Sequence, residues 1–152
     1  MRKIILGLIL ILSSHLVMAQ EDSTVLENEN AAIALIRKIF VDHTSYIYCT
    51  NAGSYSNPEN IQFSIEGSVC YITYNWSSGT SFVYFDLKEV EFKSVERNDG
   101  KNKLSIVCKG KSKKCIKTKE EVVVPNILVN TFVTEFTDKL LGAFTYLQEI
   151  HK

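Results

Sequence analysis

Histidine is scarce in this chain: three residues in 152, at positions 15, 43 and 151. His15 lies in the N-terminal apolar segment and His151 is the penultimate residue, so only His43 sits in the body of the sequence. A three-histidine metal centre is excluded once that N-terminal segment is removed. The chain also lacks H-E-x-x-H, G-x-S-x-G, a P-loop and G-x-G-x-x-G, so the common metalloprotease, hydrolase and nucleotide-binding chemistries have no starting point. Excess charge of either sign is missing too. Seventeen basic residues face seventeen acidic ones, so no global field steers the chain toward nucleic acid. Only two prolines are present, at 58 and 125, and there are no internal repeats or low-complexity tracts. After residue 19 no apolar run approaches the roughly 20 residues that a spanning helix needs. No membrane span, metal or cofactor is therefore expected.

What is present begins with an address. Met1-Arg2-Lys3 supplies positive charge, Ile4 to Leu12 an apolar core broken only by Gly7, and Val17-Met18-Ala19 a small-x-small cleavage site. This predicts a signal peptide over residues 1–19 and a mature domain over 20–152, secreted or periplasmic. No lipobox cysteine follows, so a lipid anchor is not expected. Removing Arg2 and Lys3 leaves fifteen basic residues against seventeen acidic ones, a net charge of −2. The remaining length makes one domain with a real core.

All four cysteines, Cys49, Cys70, Cys108 and Cys115, follow the leader, and an even count in an exported chain favours disulfides. Four cysteines allow three pairings. Cys108 and Cys115 flank a six-residue turn-rich segment that a hairpin would close, which favours Cys108–Cys115 and leaves Cys49–Cys70. The alternative is four small buried hydrophobes.

Periodicity divides the rest. Thr24-Val25-Leu26-Glu27 fits a capping box, and Ile33, Ile36 and Phe40 recur at helical spacing. A helix is expected from about Val25 to Val41, ended by Asp42-His43-Thr44-Ser45. The period then becomes two. Strands are expected over Tyr46–Cys49, Ile61–Ile65, Val69–Trp76, Ser81–Leu87, Val90–Arg97, Lys103–Cys108 and Cys115–Val124. Asn98-Asp99-Gly100 marks a strong hairpin turn. Pro125 sits where a helix would begin. Val129, Phe132, Val133, Phe136, Leu140, Ala143, Phe144 and Leu147 then place one apolar stripe on a helix over Asn126–Ile150.

The order is helix, about seven short antiparallel strands, helix. This is α+β with a meandering sheet. Seven strands followed by a long amphipathic C-terminal helix resembles the pleckstrin-homology-like roll, over roughly Tyr46 to Ile150. The resemblance implies two nearly orthogonal sheets closed at one end by that helix, with the N-terminal helix as an addition. The alternative is an open sheet with both helices on one face. Phosphoinositide-binding members of that family use basic residues in the loop after the first strand. Here that loop, Asn51 to Asn60, has none, so the lipid function does not carry over.

Three features bear on function. Eight lysines and no acid lie between Lys101 and Lys119, with Lys109, Lys111, Lys113 and Lys114 between Cys108 and Cys115. A stapled lysine loop is a candidate anion-binding patch. It lacks arginine for bidentate phosphate contacts, and no aromatic residue interleaves with its lysines to stack bases. The bland reading is an edge blunted against aggregation. Second, six of seven tyrosines and the only tryptophan, Trp76, lie between positions 46 and 84. Trp76 is a candidate interface residue, or else a lid on the core. Tyr71 shares one strand face with Val69 and Thr73, while Cys70, Ile72 and Tyr74 share the other. Both faces are partly apolar, as expected of a sheet covered on both sides. Third, His43 sits next to Asp42, which fits a helix terminus better than a catalytic pair.

No catalytic residues are assigned. The expected function is an exported, non-catalytic binding or accessory module, whose partner is an anionic surface, a glycan or another exported protein, with no dedicated nucleic-acid binding. A small extracytoplasmic enzyme using a cysteine or His43, and a structural or assembly protein, are the alternatives.

Overall fold

A computed structural model describes residues 28–49, 53–56, 59–76, 79–110, 115–119 and 123–152, with only the backbone for 53–56 and 76. The expected leader over residues 1–19 lies outside the described residues. In order, the elements are α1 (Glu29–His43), β1 (Thr44–Cys49), β2 (Gly53–Ser56), β3 (Glu59–Glu66), β4 (Val69–Trp76), β5 (Gly79–Asp86), β6 (Val90–Glu96), β7 (Asn102–Cys108), β8 (Ile116–Thr118), β9 (Val123–Val124), β10 (Asn126–Thr131) and α2 (Thr134–Ile150). The class is α+β with a helix at each end, as expected. The strands form two five-stranded antiparallel sheets, β2-β1-β10-β7-β6 and β3-β4-β5-β8-β9.

The first helix keeps its expected stripe and starts later than expected. Ala32, Ile36, Ile39 and Phe40 are buried on one face. The cap among the described residues is Asn28, whose Oδ1 accepts from Ala31 N at 3.0 Å. Thr24 and Glu27 lie outside the described residues. The helix ends on His43, and Thr44 is already extended.

The last helix is where sequence and structure part. Asn126–Thr131 is a strand rather than a first helical turn and a half, and it occupies the centre of the first sheet, between β1 and β7. Its burial alternates: Ile127 and Val129 are fully buried while Asn126 and Leu128 are only partly so. Pro125 precedes this strand, and its carbonyl accepts from Cys108 N at 3.1 Å. The helix starts at Thr134, after Val133, with no side-chain cap. Leu140, Ala143, Phe144 and Leu147 form the buried stripe, whereas Phe132 and Val133 are about half exposed. Insertion of β10 between β1 and β7 also means the first sheet is not a simple meander. The second sheet begins as one, β3 to β5, and then takes β8 and β9 after the chain has visited the first sheet. The expected strand over Cys115–Val124 is two short pieces, β8 and β9.

The Asn98-Asp99-Gly100 turn joins β6 to β7 as expected, with Gly100 at φ 74°, a left-handed conformation natural for glycine.

The core lies between the inner faces of the sheets, with both helices filling the open side. Helix α1 leans on β3 and α2, and α2 leans on β6, β7 and β10. Phe144 of α2 is the centre. Its ring lies 4.9 Å from Phe92 of β6, 5.5 Å from Phe63 of β3, 6.3 Å from Phe85 of β5 and 6.3 Å from Phe40 of α1, centroid to centroid. Polar contacts fix α2 in register. Gln148 Nε2 donates to the Leu87 and Val90 carbonyls, and Thr137 Oγ1 donates to Asn102 O at 3.0 Å.

Cys108 and Cys115 form the expected disulfide, with Cα atoms 5.6 Å apart. Cys108 ends β7 in the first sheet and Cys115 leads into β8 in the second, so the bond ties the sheets together. The second expected pairing is corrected. Cys49 on β1 and Cys70 on β4 are both fully buried thiols, placed in different sheets, with no disulfide between them.

Phe144→Ala is expected to lower unfolding free energy by about 3–5 kcal/mol in urea titrations, since the ring fills a site with walls from four elements. Phe132→Ser, at an exposed position, is expected to stay within about 0.5 kcal/mol of the parent.

Candidate binding face on the second sheet

Strand alternation decides which side chains of the second sheet face outward. Ile61 and Phe63 of β3, Cys70, Ile72 and Tyr74 of β4, Val83 and Phe85 of β5, and Ile116 of β8 are buried inward. The residues between them, Gln62, Ser64, Tyr71, Thr73, Asn75, Phe82, Tyr84 and Lys117, therefore stand on the outer face. Register then lines them up across the strands. Ser64 pairs with Tyr71, Tyr71 with Tyr84, and Tyr84 with Lys117. A second row runs Gln62, Thr73, Phe82, and Lys119 N donates to Phe82 O at 3.0 Å at its end.

The first row is tightly built. The Tyr71 and Tyr84 rings stack with centroids 5.7 Å apart at 23°, and Phe82 lies 6.2 Å from Tyr84. Lys117 Nζ sits 5.6 Å from the centre of the Tyr84 ring, a cation–π distance. Lys119 Nζ donates to Thr80 O at 2.7 Å, which holds a second ammonium at the same margin. Among the described residues no helix packs on this face, because α1 and α2 meet the second sheet from the core side, through Phe40 and Phe144. On this face of β4, Tyr71 and Thr73 are half-buried.

A groove of about 380 Å³ borders the opposite margin, lined by Arg37, Val41, Ile61, Gln62, Phe63, Ser64 and Thr73. Arg37 Nε donates to Phe63 O at 2.8 Å, which caps a backbone carbonyl at the sheet edge and places a guanidinium beside Ser64 and Gln62. The face therefore runs from a cation, through hydroxyl and amide groups, across two tyrosines, to a pair of lysines.

The residues singled out from sequence fare unequally. Lys109 is exposed, with its Nζ donating to Lys88 O at 3.0 Å and its backbone N to Glu89 O. Its charge reaches Glu91. The hydrogen bond and charge of Lys93 hold the Glu91 carboxyl below the usual carboxylate range, and Lys109 adds to this. Lys111, Lys113 and Lys114 lie outside the described residues. Trp76 is the last residue of β4, paired with Gly79, and its side chain lies outside the described residues. Sequence reasoning missed Tyr84, Tyr71, Lys117 and Lys119 as a group. It looked for aromatics interleaved with lysines along the chain, whereas β5–β8 pairing interleaves them in space. The available signal was parity: Phe82 and Tyr84 alternate, as do Lys117 and Lys119.

His43 and the two buried thiols lie in packed surroundings. The His43 ring lies flat on Phe136, centroids 3.6 Å apart at 8°, and His151 Nε2 meets Glu29 Oε1 at 2.9 Å. Burial, and then the charge of Asp86, push the Cys70 thiol well above its ordinary pKa, the opposite of what activates a nucleophile. No cluster of metal-ligating side chains occurs among the described residues. Comparison with protein-family models, curated proteins and solved structures finds no match to this chain.

Thiol counting checks the cysteine assignment. The oxidised protein is expected to show two titratable thiols in denaturant without reductant, and none that react rapidly when folded, because Cys49 and Cys70 are buried. A count of zero in denaturant would restore the Cys49–Cys70 bond.

Proposed function

We propose that this chain is an exported, non-catalytic binding module that holds its ligand on the outer face of the second sheet. The observation that carries the proposal is the row Tyr71–Tyr84–Lys117, ordered across three strands on a face that neither helix covers. Partly exposed tyrosines do little for the core. They add contact area with few rotatable bonds, which suits a surface meant to meet something else. Their positions are set by strand pairing, so little ordering remains to be done on binding. Lys117 and Lys119 supply charge at one margin, and Lys111, Lys113 and Lys114 precede them closely in sequence. The cysteine pairing and the N-terminal leader support an oxidising compartment. The Cys70 environment and the His43–Phe136 stack give the enzymatic alternative no support.

Backbone amide shift mapping tests the location. Polygalacturonate, neutral dextran, an oligothymidylate and anionic vesicles would be titrated into the isotopically labelled domain. A binder is expected to perturb residues 62–64, 71–75, 80–84 and 117–119 first. Perturbations centred on the helices or on the first sheet, or silence from every probe, would overturn the proposal.

A further inference from the structure

We infer that the ligand of this face is a linear acidic polysaccharide, recognised through hydroxyl and charge contacts rather than by stacking; this rests on the location proposed above. The argument starts from the two faces of the Tyr84 ring. Tyr71 stacks on one side, and the Lys117 ammonium lies over the ring. Side chains stand roughly perpendicular to a sheet, so a ring flanked in this way meets a ligand with its edge and its hydroxyl. A nucleobase needs an open aromatic face, and the Tyr84 ring, with Tyr71 and Lys117 against it, is poorly placed to offer one. What it does offer is oxygen-seeking: phenol hydroxyls, the positive edge of the rings and an ammonium already fixed beside them.

The surroundings fit the same class. Ser64, Gln62, Thr73, Asn75 and Thr80 provide hydroxyl and amide groups in adjoining rows, and Thr80 Oγ1 donates to Asn75 Oδ1 at 2.8 Å. Such groups pair with sugar hydroxyls through both their donors and their acceptors. Charge complementarity supplies the acidic part. Arg37 stands at one margin and Lys117 and Lys119 at the other, and none of the three takes part in the ion pairs found among the described residues. The nearby acids stand at the ends of the strands. Asp86 Oδ1 accepts from Lys88 N at 2.8 Å, Glu66 ends β3 and Glu59 begins it, while Glu120 and Glu121 lie outside the described residues. The two central rows, Ser64–Tyr71–Tyr84 and Gln62–Thr73–Phe82, carry no carboxylate; Glu59 pairs with Asn75 in the row on one side, and Glu66 and Asp86 flank Val69 in the row on the other. Four strands lie between Arg37 and the lysines, inclusive of the outer two. At about 4.8 Å per strand the rows extend roughly 15 Å, room for several sugar units lying across the strands. Lysine, a compact point charge, suits isolated carboxylates at the margin, whereas phosphate polymers favour bidentate arginine forks.

The test is a calorimetric titration of the oxidised full chain with polygalacturonate, dextran sulfate, neutral dextran and oligothymidylate. Polygalacturonate is expected to bind, with affinity falling about tenfold or more between roughly 0.05 and 0.5 M salt as the exposed lysines are screened. Tyr84→Phe keeps the ring and its stack while removing one hydroxyl, and is expected to weaken binding roughly three- to tenfold. Lys117→Ser with Lys119→Ser is expected to weaken it by more than tenfold. Unchanged melting temperatures would certify both variants as folded. Equal affinity for neutral dextran, or oligothymidylate binding that exceeds polygalacturonate and ignores Tyr84→Phe, would overturn the inference while leaving the location of the site intact. Preference for dextran sulfate would keep the class and assign sulfate as the acidic group. Binding untouched by both variants would place the site elsewhere and sink the location as well.

Discussion

The Phe144 ring is the constraint on which the architecture turns. It belongs to the last helix, yet its neighbours come from the first helix, from two strands of the second sheet and from the edge strand of the first. Two sheets that share no hydrogen-bonded strand need something else to set their mutual angle. Here it is an aromatic wedge with perpendicular contact to Phe63 and near-parallel contact to Phe92. Gln148 and Thr137 hold the wedge in depth and rotation, because a shift of one residue along α2 would break their bonds to Leu87, Val90 and Asn102. The Phe40–Phe144 contact joins the first helix to the last, a long-range closure with a high entropic cost.

With two helices and two sheets, the helices cover only one side of the arrangement, and both outer sheet faces must be compatible with water. The two faces meet that demand differently. On the first sheet, Arg97 lies 6.0 Å from the centre of the Tyr46 ring, pairs with Asp99 at 3.0 Å and donates to Asn130, so its charge is neutralised within the structure. On the second sheet the analogous cation, Lys117, also sits on a tyrosine, and no carboxylate is paired with it among the described ion pairs. The same pairing of cation with aromatic ring thus locks a hairpin tip on one face and leaves an outward charge on the other.

Local patterns were legible where local physics decides. The α1 stripe, the β3–β4–β5 hairpins, the Asn98–Gly100 turn and the Cys108–Cys115 closure all depend on neighbours within a few residues. The β10 strand was not legible, because Val129, Phe132, Val133 and Phe136 fall by coincidence at helical spacing, and a strand that runs into a helix within two residues leaves no turn signal between them. Pro125 deepened the error, since a proline before a strand and a proline at a helix start look alike in one dimension. The face itself was half legible. Strand parity could place Tyr71 and Tyr84 on one side, but only the pairing of β5 with β8, distant in the chain, brings lysines to them. The Cys49–Cys70 pairing was reached by elimination alone, with no local turn to bring the two together, and both side chains are instead packed in the core.

The disulfide joins the end of β7 to the start of β8, and β8 is only three residues long. So short a strand has few ladder bonds to hold its register, and its position is inherited from the far sturdier β7 through the covalent bond. The margin of the face that carries Lys117 and Lys119 is therefore held both by pairing with β5 and by the covalent tie to β7. Reduction would remove the tie to β7 and leave the lysines to the β5–β8 ladder alone.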